Sequence, residues 1–246
     1  TRGFKKGLML YSSNVMIMEK CEELLPDYFG FVRGVVDSPD LSLNISREML
    51  QQSRELSAIQ RRIEKKVKGE LEKMRDEDRE KYEQVYRFFG PNFKFSIYST
   101  YGGTSQILSD LLMFPSVKEG KLVTLEEYVA KATEDQDKIY FATGDSIEQM
   151  SATPVVKAVA AKGYDVLLCD HDVDEFCLMS MHEFGGKTLV NVGTSELDLE
   201  TEEEKEENEK IASENADLFA DMAATLGDKV TKVVPCTMPI EAAACI

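Results

Sequence analysis

Between residues 125 and 192, helical and strand patterns alternate, and few architectures accept that order. Residues 125–131 read as helix and residues 138–143 as strand. Residues 146–162 carry one or two helices with Pro154 near a boundary. Residues 164–169 read as a buried strand, 173–182 as a helix and 187–192 as a strand. Strands separated by helices cannot close as tight hairpins. Each needs a crossover, which lays the strands parallel. The alternation therefore predicts a small parallel-sheet α/β unit.

The chain before it has a different rhythm. Residues 7–18 are strand material around a Ser12-Ser13-Asn14 turn signal, which suggests a hairpin. Residues 29–36 are apolar, interrupted by Gly30 and Gly34, and read as a buried strand. Asp37-Ser38-Pro39-Asp40 is a turn, and residues 41–45 alternate apolar and polar. Ser46 then offers an N-cap to a long helix. Leu56, Ile59, Ile63, Val67, Leu71 and Met74 recur at steps of three and four, one face of a helix about 45 Å long at 1.5 Å per residue. Charged residues from Arg61 to Glu72 fill its other face. That stripe is read as core packing, with a surface that binds other proteins as the sharper alternative. A second helix is expected over residues 82–89, stopped by Gly90-Pro91-Asn92, and a short one over 105–114, ended by Pro115.

After Gly193 the composition turns acidic from Glu196 to Glu209. Ile211, Ala212, Leu218, Phe219, Met222 and Leu226 then fall at helical spacing up to Gly227, and residues 229–234 begin a strand. Acidic residues suit a helix start, so a solvated helix explains the run. A recruitment surface for a basic partner is the sharper reading.

The length, 246 residues, suits one large domain or two to three small ones. A net charge of −16 argues against general affinity for nucleic acid or anionic membrane. No apolar run approaches the roughly 20 residues that span a bilayer. The first residues lack the apolar core and cleavage pattern of a signal peptide, and there is no initial Met, as expected of a segment excised from a longer chain. Cys21, Cys169, Cys177, Cys236 and Cys245 are scattered and odd in number, the usage of a reducing cytoplasm.

Arg47 is the sharpest candidate for chemistry. It lies within Leu43-Asn44-Ile45-Ser46-Arg47-Glu48-Met49-Leu50-Gln51-Gln52, where the long helix starts. A helix N-terminus is already positive, so a further cation costs roughly 0.3–1 kcal/mol unless offset. A docked anion would offset it, and Gln51, one turn on, could hydrogen-bond the same ligand. An exposed Arg beside Glu48 is the plain alternative. Cys169, Asp170, His171, Cys177 and His182 invite a metal reading, but match no zinc spacing, and two buried cysteines with two ordinary histidines suffice. With two His there is no placed triad. No phosphate-cradling Gly-rich loop occurs, and Tyr101-Gly102-Gly103-Thr104 is a turn at best.

Three stretches carry a resemblance. They are Cys21-Glu22-Glu23-Leu24-Leu25-Pro26-Asp27-Tyr28, Phe31-Val32-Arg33-Gly34-Val35-Val36-Asp37-Ser38, and Leu43-Asn44-Ile45-Ser46-Arg47-Glu48-Met49-Leu50-Gln51. Lys138-Ile139-Tyr140-Phe141-Ala142-Thr143-Gly144-Asp145-Ser146, Lys162-Gly163-Tyr164-Asp165-Val166-Leu167-Leu168 and Asp172-Val173-Asp174-Glu175-Phe176 agree. Together they resemble the middle domain of the ninety-kilodalton heat-shock chaperones of bacterial type. Ala243-Ala244-Cys245-Ile246 is similar to the start of that family's C-terminal domain.

The resemblance implies an α/β class of two unequal α/β/α segments joined by a helical connector. Residues 1–74 would form the larger segment, 75–116 the connector, 117–193 the smaller segment, and 194–246 the start of a C-terminal α+β dimerisation domain. It implies that Arg47 reaches the γ-phosphate of ATP bound on an N-terminal domain, that Gln51 assists, and that Asn44 supports the loop. ATP and magnesium then belong to the full-length protein. The segment alone needs no cofactor or metal and does not turn over ATP.

The implied partners are client proteins, the chaperone's own ATPase domain and co-chaperones. The full-length protein would be a cytoplasmic homodimer and the segment mainly a monomer. Met16 departs from the family, which often has an aromatic residue there to dock the N-terminal domain. Two other readings are a non-catalytic α/β interaction scaffold with an acidic helix, and a hydrolase using the Cys/His cluster.

Overall fold

The structure is a computed structural model and describes residues 6–41, 54–133, 136–194, 202–227 and 230–235. The strands are β1 (Leu8–Ser12), β2 (Val15–Cys21), β3 (Val35–Asp37), β4 (Met113–Pro115), β5 (Leu122–Thr124), β6 (Lys138–Thr143), β7 (Val166–Cys169), β8 (Glu183–Phe184) and β9 (Lys187–Asn191). The helices are α1 (Arg54–Glu77), α2 (Arg79–Ser99), α3 (Ser105–Leu108), α4 (Leu125–Lys131), α5 (Ile147–Ala152), α6 (Pro154–Ala161), α7 (Asp172–Met181), α8 (Glu202–Glu214) and α9 (Ala216–Leu226). The class is mixed α/β, as the sequence led us to expect. Two compact units divide the chain. One comprises Thr1–Met113, Thr124–Glu127 and Val173–Phe184, and the other comprises Phe114–Val123, Tyr128–Asp172 and Gly185–Ile246.

In the first unit, β1 and β2 form the expected antiparallel hairpin, with Tyr11 opposite Met16 and Ser12 opposite Val15. Ser13 and Asn14 turn the chain at φ 49 and 67, the left-handed pair that a two-residue hairpin loop requires. Leu8, Leu10 and Ser12 alternate onto the buried face of β1. β3 adds parallel to β1, pairing Met9 with Val35 and Tyr11 with Asp37.

The buried strand expected over residues 29–36 is not there. Asp27–Phe29 is a 3-10 turn, and only Val35–Asp37 is strand, largely exposed. The apolar residues serve another purpose. Phe29 lies 5.9 Å from Phe93, and Phe31 stacks on Phe89 at 4.1 Å. The side chains bury against α2, so the backbone is free to turn. Arg33 donates to the carbonyls of Gly30 and Val32.

The described part of α1 begins at Arg54. Leu56 and Leu71 of the predicted stripe are buried, and Ile59, Ile63, Val67 and Met74 are half-buried, so the stripe is packing surface. Asp78 then breaks the helix and caps α2 by accepting from the Lys81 amide. The helix was expected to stop at Gly90-Pro91-Asn92, yet α2 runs through to Ser99. Tyr82, Tyr86, Gly90, Phe93 and Ile97 are all buried, at helical steps across the proline. A mid-helix proline costs about 3 kcal/mol. Burying Phe93 and Ile97, each worth about 1.5–3 kcal/mol, offsets that. Gly90 has no side chain because the Tyr86 ring occupies the space: a Cβ would sit 2.8 Å from it. The helix expected over 105–114 is shorter too. After α3 and a 3-10 turn at Ser109–Leu111, Met113 and Phe114 enter strand β4. Tyr82 and Tyr86 donate to the carbonyls of Leu111 and Met113, at 2.6 and 3.1 Å, and hold that extended segment.

In the second unit, β6 pairs parallel with both β7 and β9, which is the small parallel sheet the alternation predicted. Ser146 and Thr153 cap α5 and α6. Tyr140, Ala142, Val166 and Leu168 pack with Met150, Val156, Val159 and Val192. The Tyr128 hydroxyl accepts from the Tyr140 amide and from Gln136 Nε2, both at 3.1 Å, and donates to the Asp165 carbonyl at 2.7 Å. The Asp165 carboxylate accepts from Ser116 Oγ and from the amides of Lys118 and Val166.

The single helix expected after the acidic run is two helices, parted at Asn215. Leu218, Met222 and Leu226 are 49%, 44% and 38% exposed, so the stripe on α9 is not core. No strand forms over residues 230–235. Among the described residues no helix is long and apolar enough to cross a membrane.

Candidate functional site

Asn44, Arg47 and Gln51 lie outside the described residues, but both ends of their segment are described. At the entrance, β1 and its turn hold residues 37–41. The Ser38 amide donates to the Tyr11 carbonyl at 3.1 Å, and the Asn14 amide donates to Asp37 Oδ2 at 3.0 Å. Ser12 Oγ donates to the Leu41 carbonyl at 2.5 Å, with both residues buried. At the exit, Leu56 in the first described turn of α1 is 3% exposed, and α1 packs against the 3-10 turn at Glu22–Leu24. Tyr28 donates to the Glu64 carboxylate. Burial, then that hydrogen bond, push its phenol far above the usual tyrosine range. Farther along α1, Lys68 pairs with Asp110 at 2.8 Å, and Arg75 donates to the Asp110 carbonyl at 2.5 Å. The ends of the arginine segment thus rest on a hydrogen-bonded sheet corner and on a helix fastened along its length.

The described cysteines, Cys21, Cys169 and Cys177, are all buried. Cys169 is buried in β7 and Cys177 in α7. Burial pushes the Cys177 thiol up to about 12 and the Cys21 thiol up to about 11, so both stay protonated at neutral pH. Only the thiolate attacks carbon or sulfur centres effectively, which argues against Cys21 and Cys177 as nucleophiles. His171 is exposed, with Nδ1 2.7 Å from Asp170, and His182 is exposed in a left-handed conformation at φ 61.

A model of the Hsp90 protein family matches residues 2–246. The chaperone protein HtpG of Clostridium perfringens is 49% identical over 233 residues, which is 95% of this chain and 37% of that protein. HtpG of Oceanobacillus iheyensis is 49% identical and that of Bacillus subtilis 46%, over the same shares. The chain belongs to the Hsp90 family. It spans little more than a third of the length of the curated relatives it matches.

This Hsp90-family chain also holds a buried ion pair that the sequence reading passed over. Lys94 Nζ lies 2.7 Å from Asp174 Oδ1, with side chains 9% and 2% exposed, and 5.6 Å from the centre of the Tyr86 ring. A lysine directly after Phe93 was the available signal, since Phe93 is core and its neighbour is drawn in with it. Ser12 was passed over as well, since a serine beside Ser13 and Asn14 reads as a turn residue. The departure noted at Met16 stands in the open: it is 54% exposed, opposite Tyr11 on the uncovered face of the first sheet.

Proposed function

We propose that this chain is the middle segment of an ATP-driven chaperone, binding unfolded or partly folded clients and supplying Arg47 to ATP held elsewhere in the full-length protein. One observation carries the reading: close similarity to HtpG chaperones along 95% of the chain. The Arg47 guanidinium would meet the charge that spreads over the γ-phosphate oxygens as the bond to the leaving group breaks. Gln51 adds a neutral donor one turn on, and Asn44 shapes the loop. Guanidinium and amide donors suit a phosphate, but they do not make a nucleotide pocket. ATP and magnesium would therefore sit on the N-terminal domain of the complete protein. Exposed Phe88 and Phe95, at 75% and 59%, give the first unit apolar surface of the kind a client would need.

The same reading assigns residues 1–74 and 117–193 to the two α/β/α segments, 75–116 to the connector and 194–246 to the start of the dimerisation domain. It makes the full-length protein a cytoplasmic homodimer, served by co-chaperones, and the segment mainly a monomer. The test is turnover. The segment alone does not hydrolyse ATP, and adding the purified nucleotide-binding domain restores hydrolysis. In the full-length protein, Arg47→Ala cuts turnover by roughly two to three orders of magnitude with ATP affinity little changed, and Gln51→Ala shows a weaker form of the same pattern. Wild-type turnover in Arg47→Ala would leave a solvated arginine and an interaction scaffold.

A further inference from the structure

Among the described residues, a cleft of about 930 Å³ opens beside α2, and its whole lining belongs to the first unit. Small-molecule sites occupy roughly 300–1,000 Å³, with mostly apolar walls and a few polar groups that fix orientation. This lining is built the same way. Phe31 and Phe89 stack at 4.1 Å, 16° from parallel, and both are only half-buried. Phe95, farther along α2, is 59% exposed. The three rings leave apolar area in water that a flat aromatic body would cover.

The polar groups of the lining give that body a direction. Its charged residues are Lys6, Asp27 and Arg33, two cations against one carboxylate. Lys6 pairs with the Asp27 carboxylate. Arg33 donates from Nη1 to the carbonyls of Gly30 and Val32, at 2.8 and 2.7 Å, which fixes its guanidinium in place. The chain carries −16 overall, but charges more than about 8 Å away are largely screened at physiological salt. The local cations therefore decide which charge the cleft attracts. The end of α2 has the opposite preference. Ser99 and Thr100 donate their hydroxyls to the Ser96 carbonyl, at 3.3 and 2.7 Å, so their oxygens remain as acceptors. A helix C-terminus is also partly negative, so this end favours a hydrogen-bond donor.

We propose that the cleft binds a small aromatic carboxylate with an N–H donor, of which an indole acid is the type. The ring lies against Phe31, Phe89 and Phe95. The carboxylate meets Arg33, and Lys6 where it shares that ammonium with Asp27. The N–H meets the hydroxyl oxygens at the end of α2. Neither Arg47 nor a nucleotide takes part.

Indole-3-acetate is the probe. The chain has no tryptophan, so indole emission comes from the ligand alone. Titration with the 246-residue chain shifts that emission to the blue and saturates with a Kd of about 0.1–1 mM, as suits a ligand of this size. Tryptamine, with the same ring and the opposite charge, binds about tenfold more weakly or worse. Arg33→Gln weakens the acid about three- to tenfold and removes most of its salt dependence. Phe95→Ser weakens it about fivefold. Arg33 and Phe95 are both exposed, so both variants keep the circular dichroism and urea midpoint of the wild type. Phe176→Ser removes an aromatic side chain, 47% exposed, that does not line the cleft, and it leaves the Kd unchanged. Three results would each overturn the proposal: no saturable shift up to about 10 mM probe, ten times the expected range; tryptamine binding as tightly as the acid; or an equal loss in Phe176→Ser and Phe95→Ser, which would mean general adhesion to exposed rings.

Discussion

The two sheets of this chain solve the same problem with different amounts of cover. In the second unit, β6 and β7 are buried on both faces: Ile139, Phe141 and Leu167 on one side and Tyr140, Ala142 and Leu168 on the other are all at most 5% exposed. Such strands read as continuous apolar runs, because a strand buried on both faces leaves neither for polar side chains. The first sheet is buried on one side only. Leu8 and Leu10 are 4% and 0% exposed, while Met9, Met16 and Val35 are 37%, 54% and 57% exposed on the other. Its stability comes from one face and from hydrogen bonds at its corner. An exposed side chain on the first sheet and an interior one on the second should therefore differ widely in what they contribute.

The largest effect tests the covered sheet. Phe141 is 1% exposed in the central strand, so Phe141→Ala should cost about 3–5 kcal/mol, the lost transfer energy plus a cavity that the surrounding sheet cannot close. Urea unfolding followed by circular dichroism measures it. A loss below about 1 kcal/mol would mean that the second sheet is no better packed than the first.

The contrast also explains what could be read in advance. Residues 125–131 and 138–143 fold with the boundaries expected, because period and burial agree there. Local punctuation misled where packing was stronger: Gly90 and Pro91 signal a stop, but the buried row Tyr82, Tyr86, Gly90, Phe93 and Ile97 runs straight through them. The segment 29–36 looked like a strand because its aromatics are apolar, yet a lone strand and an aromatic hook onto a helix share that composition. The expected start of a strand at 229–234 rested on alternation with no partner identified, and residues 230–235 form none. At the site, the arginine motif of residues 43–52 lies outside the described residues, so its reading as a helix start stays an expectation. The bond from Ser12 to Leu41 and the pairing of Lys94 with Asp174 were not legible, since each joins residues remote in sequence and neither side chain announces its partner.

A smaller effect probes the polar wiring of the covered sheet. Tyr128→Phe keeps the ring and removes one hydroxyl. The Tyr140 amide and Gln136 Nε2 lose their acceptor and the Asp165 carbonyl its donor. Leaving buried partners unmatched costs about 1–3 kcal/mol, well above the roughly 1 kcal/mol net value of an ordinary hydrogen bond. The same denaturation experiment reads it, and amide exchange at Tyr140 should quicken. A neutral substitution would show that water reaches this part of the sheet and that its cover is incomplete.

The smallest effect belongs to the open face. Met16 lies in β2 with over half its surface in solvent, so only part of its apolar area is buried in this chain. Met16→Thr forfeits that part, worth at most about 1 kcal/mol when full burial of such a side chain is worth about 1.5–3. Threonine gives some of it back, because a β-branched side chain suits an extended strand. The two terms nearly cancel, and the urea midpoint of the isolated chain should move by no more than about 0.5 kcal/mol equivalent. Under the proposed function the same substitution is not neutral in the full-length protein, where this face would dock the nucleotide-binding domain. There, turnover should fall while the stability of the segment does not. A loss of stability comparable to that of Phe141→Ala would mean that the face is closed over in solution. The contrast between the two sheets would then vanish, and with it the reason to expect a docking surface at Met16.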